Sequence, residues 1–411
     1  MSKVQKFTLK NGVRVLVEPV DYVRSVAIGL ACKTGSRHEQ PHEAGITHCI
    51  EHMVFKGTPT RNAKEIAEEI EGRGGILNAF TDKEQTCYYC RVLAEDVAVG
   101  IDVLTDIVMN PLLTDEDLEK EKGVILEEIK QSEDDPAEHV HEIHFSERWG
   151  DHPLGKPIIG NRESVSNFKR PDLLRYMERQ YRAENILLSV AGHVDPAKFK
   201  ALAEERLEKL PKKADQKEPE RPRGIQKIKE VPRDIEQVHF CIGTDSCSLY
   251  ELDDLYITSV LNGILGGGMS SRLFQEIREK RGLVYAVGSY NASYGAGGAF
   301  CVYGGTSLEA WPLVQELVRV ELDKLMKGEL EVEELEKVKK NLSGNLVLGL
   351  EAMSARMLRM ARNEMFYKRE ITVEETLERI AAVTRDQVIE KANKIFPEDL
   401  ISTTALGPFQ T

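Results

Sequence analysis

His48, Glu51 and His52 fall within five residues of one another in the stretch THCIEHMVFKGT, residues 47–58. Positions i, i+3 and i+4 share one face of a helix. A helix from about Ala44 to Phe55 therefore points all three side chains into one cleft. Two imidazoles one turn apart can hold one zinc ion, and a carboxylate between them can hold the attacking water. The order H-x-x-E-H reverses the better-known H-E-x-x-H, and both patterns occur at zinc-peptidase centres. The plainer reading is a pair of satisfied surface histidines. A catalytic zinc takes three protein ligands, so the stretch alone is incomplete.

The third ligand must come from another element. The segment DEDLEKEKGVILEEIKQSEDDP, residues 115–136, is helical by pattern and rich in glutamate. Glu121 and Glu128 are seven positions apart, two turns, and share a face, whereas Glu127 points about 100° away from Glu128. One of these carboxylates can complete the metal shell and another can support it from outside. Spacing does not choose between them, and a solvated acidic helix face is the alternative.

The rest of the chain must position these groups. At 411 residues it is long enough for two domains of roughly 200 residues each. Its 41% apolar and 30% charged residues suit a soluble globular protein, and the net charge of −13 argues against a partner bound through phosphate neutralisation. No nucleic-acid partner is expected. No apolar stretch approaches the ~18 residues of a membrane helix. The start, MSKVQKFTLKNGVRVLVEP, reads as strand, Lys-Asn-Gly turn and strand rather than a targeting peptide, which implies a cytoplasmic protein without membrane association.

Composition shifts at PKKADQKEPERPRG, residues 211–224, which reads as an exposed linker. The division is then 1–210, linker 211–224, and 225–411. DEDLEKEK at 115–122 resembles VEELEKVK at 332–339, and each follows strand-like segments with glycine turns and a long amphipathic helical stretch. The two pieces read as a duplication. Each is α+β, a mainly antiparallel sheet with long helices over one face. Aligning KGTPTR with GGMSSR sets Ser259, Asn262 and Gly263 opposite His48, Glu51 and His52, and Asn345 falls opposite Glu128 at the other offset. The second piece has no metal ligands, so one zinc per chain is expected.

Other clusters carry less. Seven cysteines, an odd and scattered set, do not suggest a disulfide framework, and the C-x-x-C of Cys87 and Cys90 lies in a strand-like run. EHVHEIHFSERW, with His139, His141 and His144, reads as a polar helix near the first site rather than a second metal centre. GILGGGMSSR lacks the Gly-Lys-Ser/Thr of a phosphate loop, and YGAGGAF reads as a hairpin.

THCIEHMVFKGT followed by EKGVILEEIKQ resembles the inverzincin peptidases of the pitrilysin type, family M16. It is most similar to the subfamily of the mitochondrial processing peptidase β subunit and its bacterial homologues. GGILNAFTDKEQTCYY, HPLGKPIIG and LFQEIREKRGLVYAVGS agree, so the likeness runs over essentially the whole chain. The resemblance implies a zinc endopeptidase in which His48, His52 and Glu128 are the metal ligands. It makes Glu51 the general base on zinc-bound water and Glu121 the supporting carboxylate. It also implies that Asn78, Ala79 and Phe80 hold an extended peptide and that Arg278 and Tyr285 act at the substrate. Cys49 departs from the family, where an aromatic residue is usual, and should affect packing behind the ligands. The resemblance further implies that each chain is half of a four-domain clamshell, completed in a homodimer with a composite active site. A non-catalytic scaffold or partner subunit on the same fold is the alternative.

Overall fold

A computed structural model describes residues 4–212 and 220–410. Of the expected linker, residues 213–219 lie outside the described residues. The chain forms two compact units, neither of them contiguous. The first comprises Met1–Ile129, Pro157–Lys217 and Gly349–Glu370; the second comprises Lys130–Lys156, Glu218–Leu348 and Ile371–Thr411. A single cut at the linker therefore differs from the units the backbone makes.

The first unit holds strands β1 (Gln5–Thr8), β2 (Arg14–Pro19), β3 (Ser25–Cys32), β4 (Ile76–Thr81), β5 (Thr86–Leu93) and β6 (Ile186–Gly192) in the order β1-β2-β6-β3-β5-β4. The second holds β7 (Ile228–Pro232), β8 (Val238–Ser246), β9 (Val284–Ser293), β10 (Gly298–Thr306) and β11 (Ser402–Gly407) in the order β7-β11-β8-β10-β9. The pairings repeat. β2 with β6 and β7 with β11 are parallel, and every following neighbour is antiparallel out to the edges β4 and β9. Apart from the extra edge strand β1, the two sheets share one topology, which is what a duplication leaves.

The helices do not keep to one face. On β3, Ile28 faces the Val97–Met109 helix at Gly100, while the neighbouring Gly29 lies under Met357 of the Met353–Tyr367 helix. Successive strand residues point to opposite faces, so the first sheet is covered on both sides. That explains why β3 and β6 read as almost unbroken apolar runs, SVAIGLAC and ILLSVAG, rather than as alternating patterns. A Cβ at position 29 would meet the Met357 sulfur at 2.2 Å, so glycine there admits the helix. The second sheet repeats the plan. Cys241 of β8 contacts His141 of the Pro136–Trp149 helix, and the adjacent Phe240 packs, tilted, against Trp311 of the Trp311–Met326 helix with ring centroids 5.0 Å apart. Each half of the sequence thus lends one helix to the sheet formed by the other half.

This exchange corrects the reading of EHVHEIHFSERW. Its helix belongs to the second unit and packs against β8 and β11. His144 is fully buried, with Nδ1 3.1 Å from the Thr404 hydroxyl, and burial lowers its pKa to about 3. His141 Nδ1 sits 2.8 Å from the Tyr290 hydroxyl. His144 is a core histidine and His141 a half-buried one. Cys87 and Cys90 are buried free thiols on β5, both pushed up to about 12 by burial, and at an odd spacing they face opposite sides of the sheet. Among the described residues, no helix is long and apolar enough to cross a membrane.

Candidate metal centre

The helix Ile46–Met53 carries His48, Glu51 and His52, and a 3-10 turn, Val54–Lys56, continues it. Ile46, Cys49, Ile50 and Met53 are buried on its other face, so the apolar residues between the polar ones fix its rotation. Cys49 lies wholly in that core. Gly45 opens the helix at φ 90°, and a Cβ there would come within 2.6 Å of the Ile159 carbonyl oxygen. The Glu39 carboxylate accepts from the N–H groups of Gly45 at 2.8 Å and Thr47 at 2.9 Å, capping the helix start. Burial pushes Glu39 up to about 7 despite those bonds.

The Asp115–Asp134 helix brings Glu128 to both imidazoles. Glu128 Oε2 lies 3.8 Å from His48 Nε2 and 3.6 Å from His52 Nε2. The three ligand atoms fall within 4.8 Å of one another, and this is the one such group of histidine, cysteine or acidic residues among the described residues. Tetrahedral zinc with bonds near 2.1 Å separates its ligands by about 3.4 Å. The observed spacings are too long for hydrogen bonds and close to what a shared ion requires. His48 is held neutral, its pKa lowered to about 4 by burial and then by the neighbouring His52. A neutral imidazole offers the lone pair that a metal needs.

Glu121 stands behind the ligands. Its Oε2 lies 3.1 Å from His52 Nδ1. Glu51 does not join the ligand group. Its carboxylate accepts a hydrogen bond from the Thr81 hydroxyl at the end of β4. Burial raises the Glu51 pKa, opposed by the Thr81 bond and by His52. Asn78, Ala79 and Phe80 lie on β4, which pairs only with β5 and so leaves its outer backbone edge open among the described residues. Thr81, Lys56 and Glu39 enter the site through contacts with residues distant in the chain or outside the helical periodicity. Thr81 alone carried a signal, as a hydroxyl directly following LNAF.

Arg278 and Tyr285 belong to the second unit. The Arg278 guanidinium lies 4.8 Å from the Phe274 ring centroid and 5.4 Å from that of Tyr285. Two backbone irregularities present the pair. Residues Phe274–Glu279 form a π-helix. On β9, Tyr285 and Ala286 together oppose the single Gly305 of β10, a bulge that turns Tyr285 outward to 80% exposure. In the same unit, Asn262 accepts from the Ser289 hydroxyl of edge strand β9 at 2.7 Å, where the first unit has Glu51 and Thr81.

A family model described as insulinase (peptidase family M16) matches residues 14–162, and one described as the peptidase M16 inactive domain matches residues 167–342. A protein of Rickettsia felis described as an uncharacterized zinc protease is 40% identical over 400 residues, covering 97% of this chain and 96% of that one. The uncharacterized zinc protease YmxG of Bacillus subtilis is 38% identical over 396 residues, covering 96% of each. The fold matches the crystal structure of a protease from Helicobacter pylori with a TM-score of 0.91 at 24% identity, covering 99% of this chain and 100% of that one. It also matches a peptidase M16 inactive domain from Pseudomonas fluorescens with a TM-score of 0.92 at 22% identity, covering 100% and 99%. Full-length identity to named zinc proteases, together with both halves of the family model, places this chain in peptidase family M16.

Proposed function

We propose that this chain is a zinc-dependent endopeptidase that binds one zinc through His48, His52 and Glu128. The observation that carries the reading is the convergence of those three ligand atoms beside a carboxylate that is not one of them. When bound, zinc polarises the scissile carbonyl and acidifies water. Glu51 accepts the proton of the attacking water and passes it to the leaving amine. Its raised pKa suits a group that must both take and return a proton. Thr81 keeps the carboxylate turned toward the reacting atoms. An extended peptide adds to the open edge of β4 at Asn78, Ala79 and Phe80, held by main-chain bonds and therefore with little sequence preference. Arg278 and Tyr285 contact the substrate, with the guanidinium steadying the charge that develops on the carbonyl oxygen. The protein works as a cytoplasmic homodimer in which the zinc of one subunit faces Arg278 and Tyr285 of the other.

Digestion of a peptide library, read by mass spectrometry with and without a chelator, tests the activity. Cleavage that persists after zinc is removed ends this reading. A protein that binds zinc and cleaves nothing supports the scaffold alternative, with which the match to an inactive-domain model is compatible. The shared site has its own test. Glu51→Gln chains mixed with Arg278→Ala chains should recover about a quarter of wild-type activity on random pairing. No gain over either variant alone removes the composite site. Thr81→Val should lower kcat about tenfold through loss of a charged hydrogen bond, with KM and zinc content unchanged and Thr81→Ser near wild type. Equal kcat in Thr81→Val and wild type would show that the hydroxyl does not orient the base.

A further inference from the structure

The two ligand histidines are anchored unequally. His52 Nδ1 is 3.1 Å from Glu121 Oε2, and the other oxygen of that carboxylate, Oε1, forms an ion pair with Lys56 Nζ at 2.6 Å. His48 Nδ1 is buried and has no hydrogen-bond partner among the described residues. Glu121 is itself buried, at 7% exposure, so each of its oxygens depends on these contacts rather than on bulk water. Lys56 ends the 3-10 turn that continues the ligand helix, four residues beyond His52. Its position is thus tied to the histidine it serves.

We propose that Lys56 is a positioning residue of the metal centre, acting through Glu121. By occupying Oε1, Lys56 fixes the rotation of the carboxylate and leaves Oε2 to accept from His52 Nδ1. That contact fixes the ring and turns Nε2 toward Glu128 Oε2, 3.6 Å away. Because His48 has no anchor among the described residues, the Lys56–Glu121 pair carries the outer-shell support of both imidazoles, which lie with ring centroids 4.6 Å apart. The inference rests on the zinc-site reading above.

The test is zinc affinity, measured by competition with a chromophoric chelator on the full-length protein. Lys56→Met should weaken zinc binding by about tenfold or more, the range for loss of outer-shell support, and Lys56→Arg should stay within roughly threefold of wild type. Lys56 acting through Glu121 also predicts that Lys56→Met weakens zinc little further once Glu121→Gln is in place. Unfolding temperatures taken in chelator identify any variant that fails to fold, and Lys56→Gln then replaces Lys56→Met. Equal zinc affinity in wild type and Lys56→Met overturns the inference and leaves the peptidase reading standing. Fully additive losses in the double variant overturn the route through Glu121. Wild-type protein that binds no zinc instead overturns the reading beneath it.

Discussion

Glu51→Gln is expected to lower kcat/KM for peptide cleavage by roughly 10³-fold, within the range for removing a general base. The substitution keeps the shape of the side chain and an oxygen for the Thr81 hydroxyl to reach. His48, His52 and Glu128 make their group without Glu51, so the variant should bind zinc as tightly as wild type. The measurement is a pair: steady-state kinetics on a cleavable peptide and metal content by mass spectrometry. Retained zinc with lost turnover assigns the proton transfer to Glu51. A variant within tenfold of wild type would remove Glu51 from the mechanism. Loss of zinc along with activity would instead make it a ligand, contrary to the geometry.

The second large effect is on the metal. Exhaustive chelation should abolish cleavage, and added zinc should restore it. Zinc should also raise the unfolding temperature, because an ion that binds only the folded site adds stability by mass action. At free zinc about 100 times the dissociation constant this is ~2.7 kcal/mol, an upward shift of roughly 5–10 °C for the unit that binds it. His52→Ala should lose both responses, since it removes a ligand and leaves Glu121 without the ring it faces. Scanning calorimetry across a zinc titration measures this. An unfolding temperature insensitive to zinc in wild type, or equally sensitive in His52→Ala, would show that the three residues do not hold the ion.

Much of the centre is local, and local geometry is legible in a sequence. His48, Glu51 and His52 share a helix face because 3.6 residues make a turn, and the buried residues among them set which way that face points. The α+β class, the β1–β2 and β4–β5 hairpins and the duplication follow in the same way, since turn chemistry and strand alternation act over a few residues. Composition misleads at His144, whose helix looks polar yet buries that residue against β8 and β11.

Distance in the chain marks where the sequence stopped being decisive. Spacing left Glu121, Glu127 and Glu128 open as ligands. The crossing of two helices brings Glu128 to both Nε2 atoms and Glu121 to His52 Nδ1. Thr81 meets Glu51 across thirty residues, and Lys56 meets Glu121 across sixty-five, contacts that no periodicity encodes. The exchange of the Pro136–Trp149 and Met353–Tyr367 helices is likewise tertiary. An apolar helix face carries no address, and which sheet it covers is settled by packing, as where Met357 lies over Gly29. By itself, the sequence determined which residues could do the chemistry and on what elements they lie. Only the tertiary structure decided which carboxylate faces the metal ligands, which hydroxyl holds the base and which lysine stands behind the shell, because those choices depend on contacts between segments far apart in the chain.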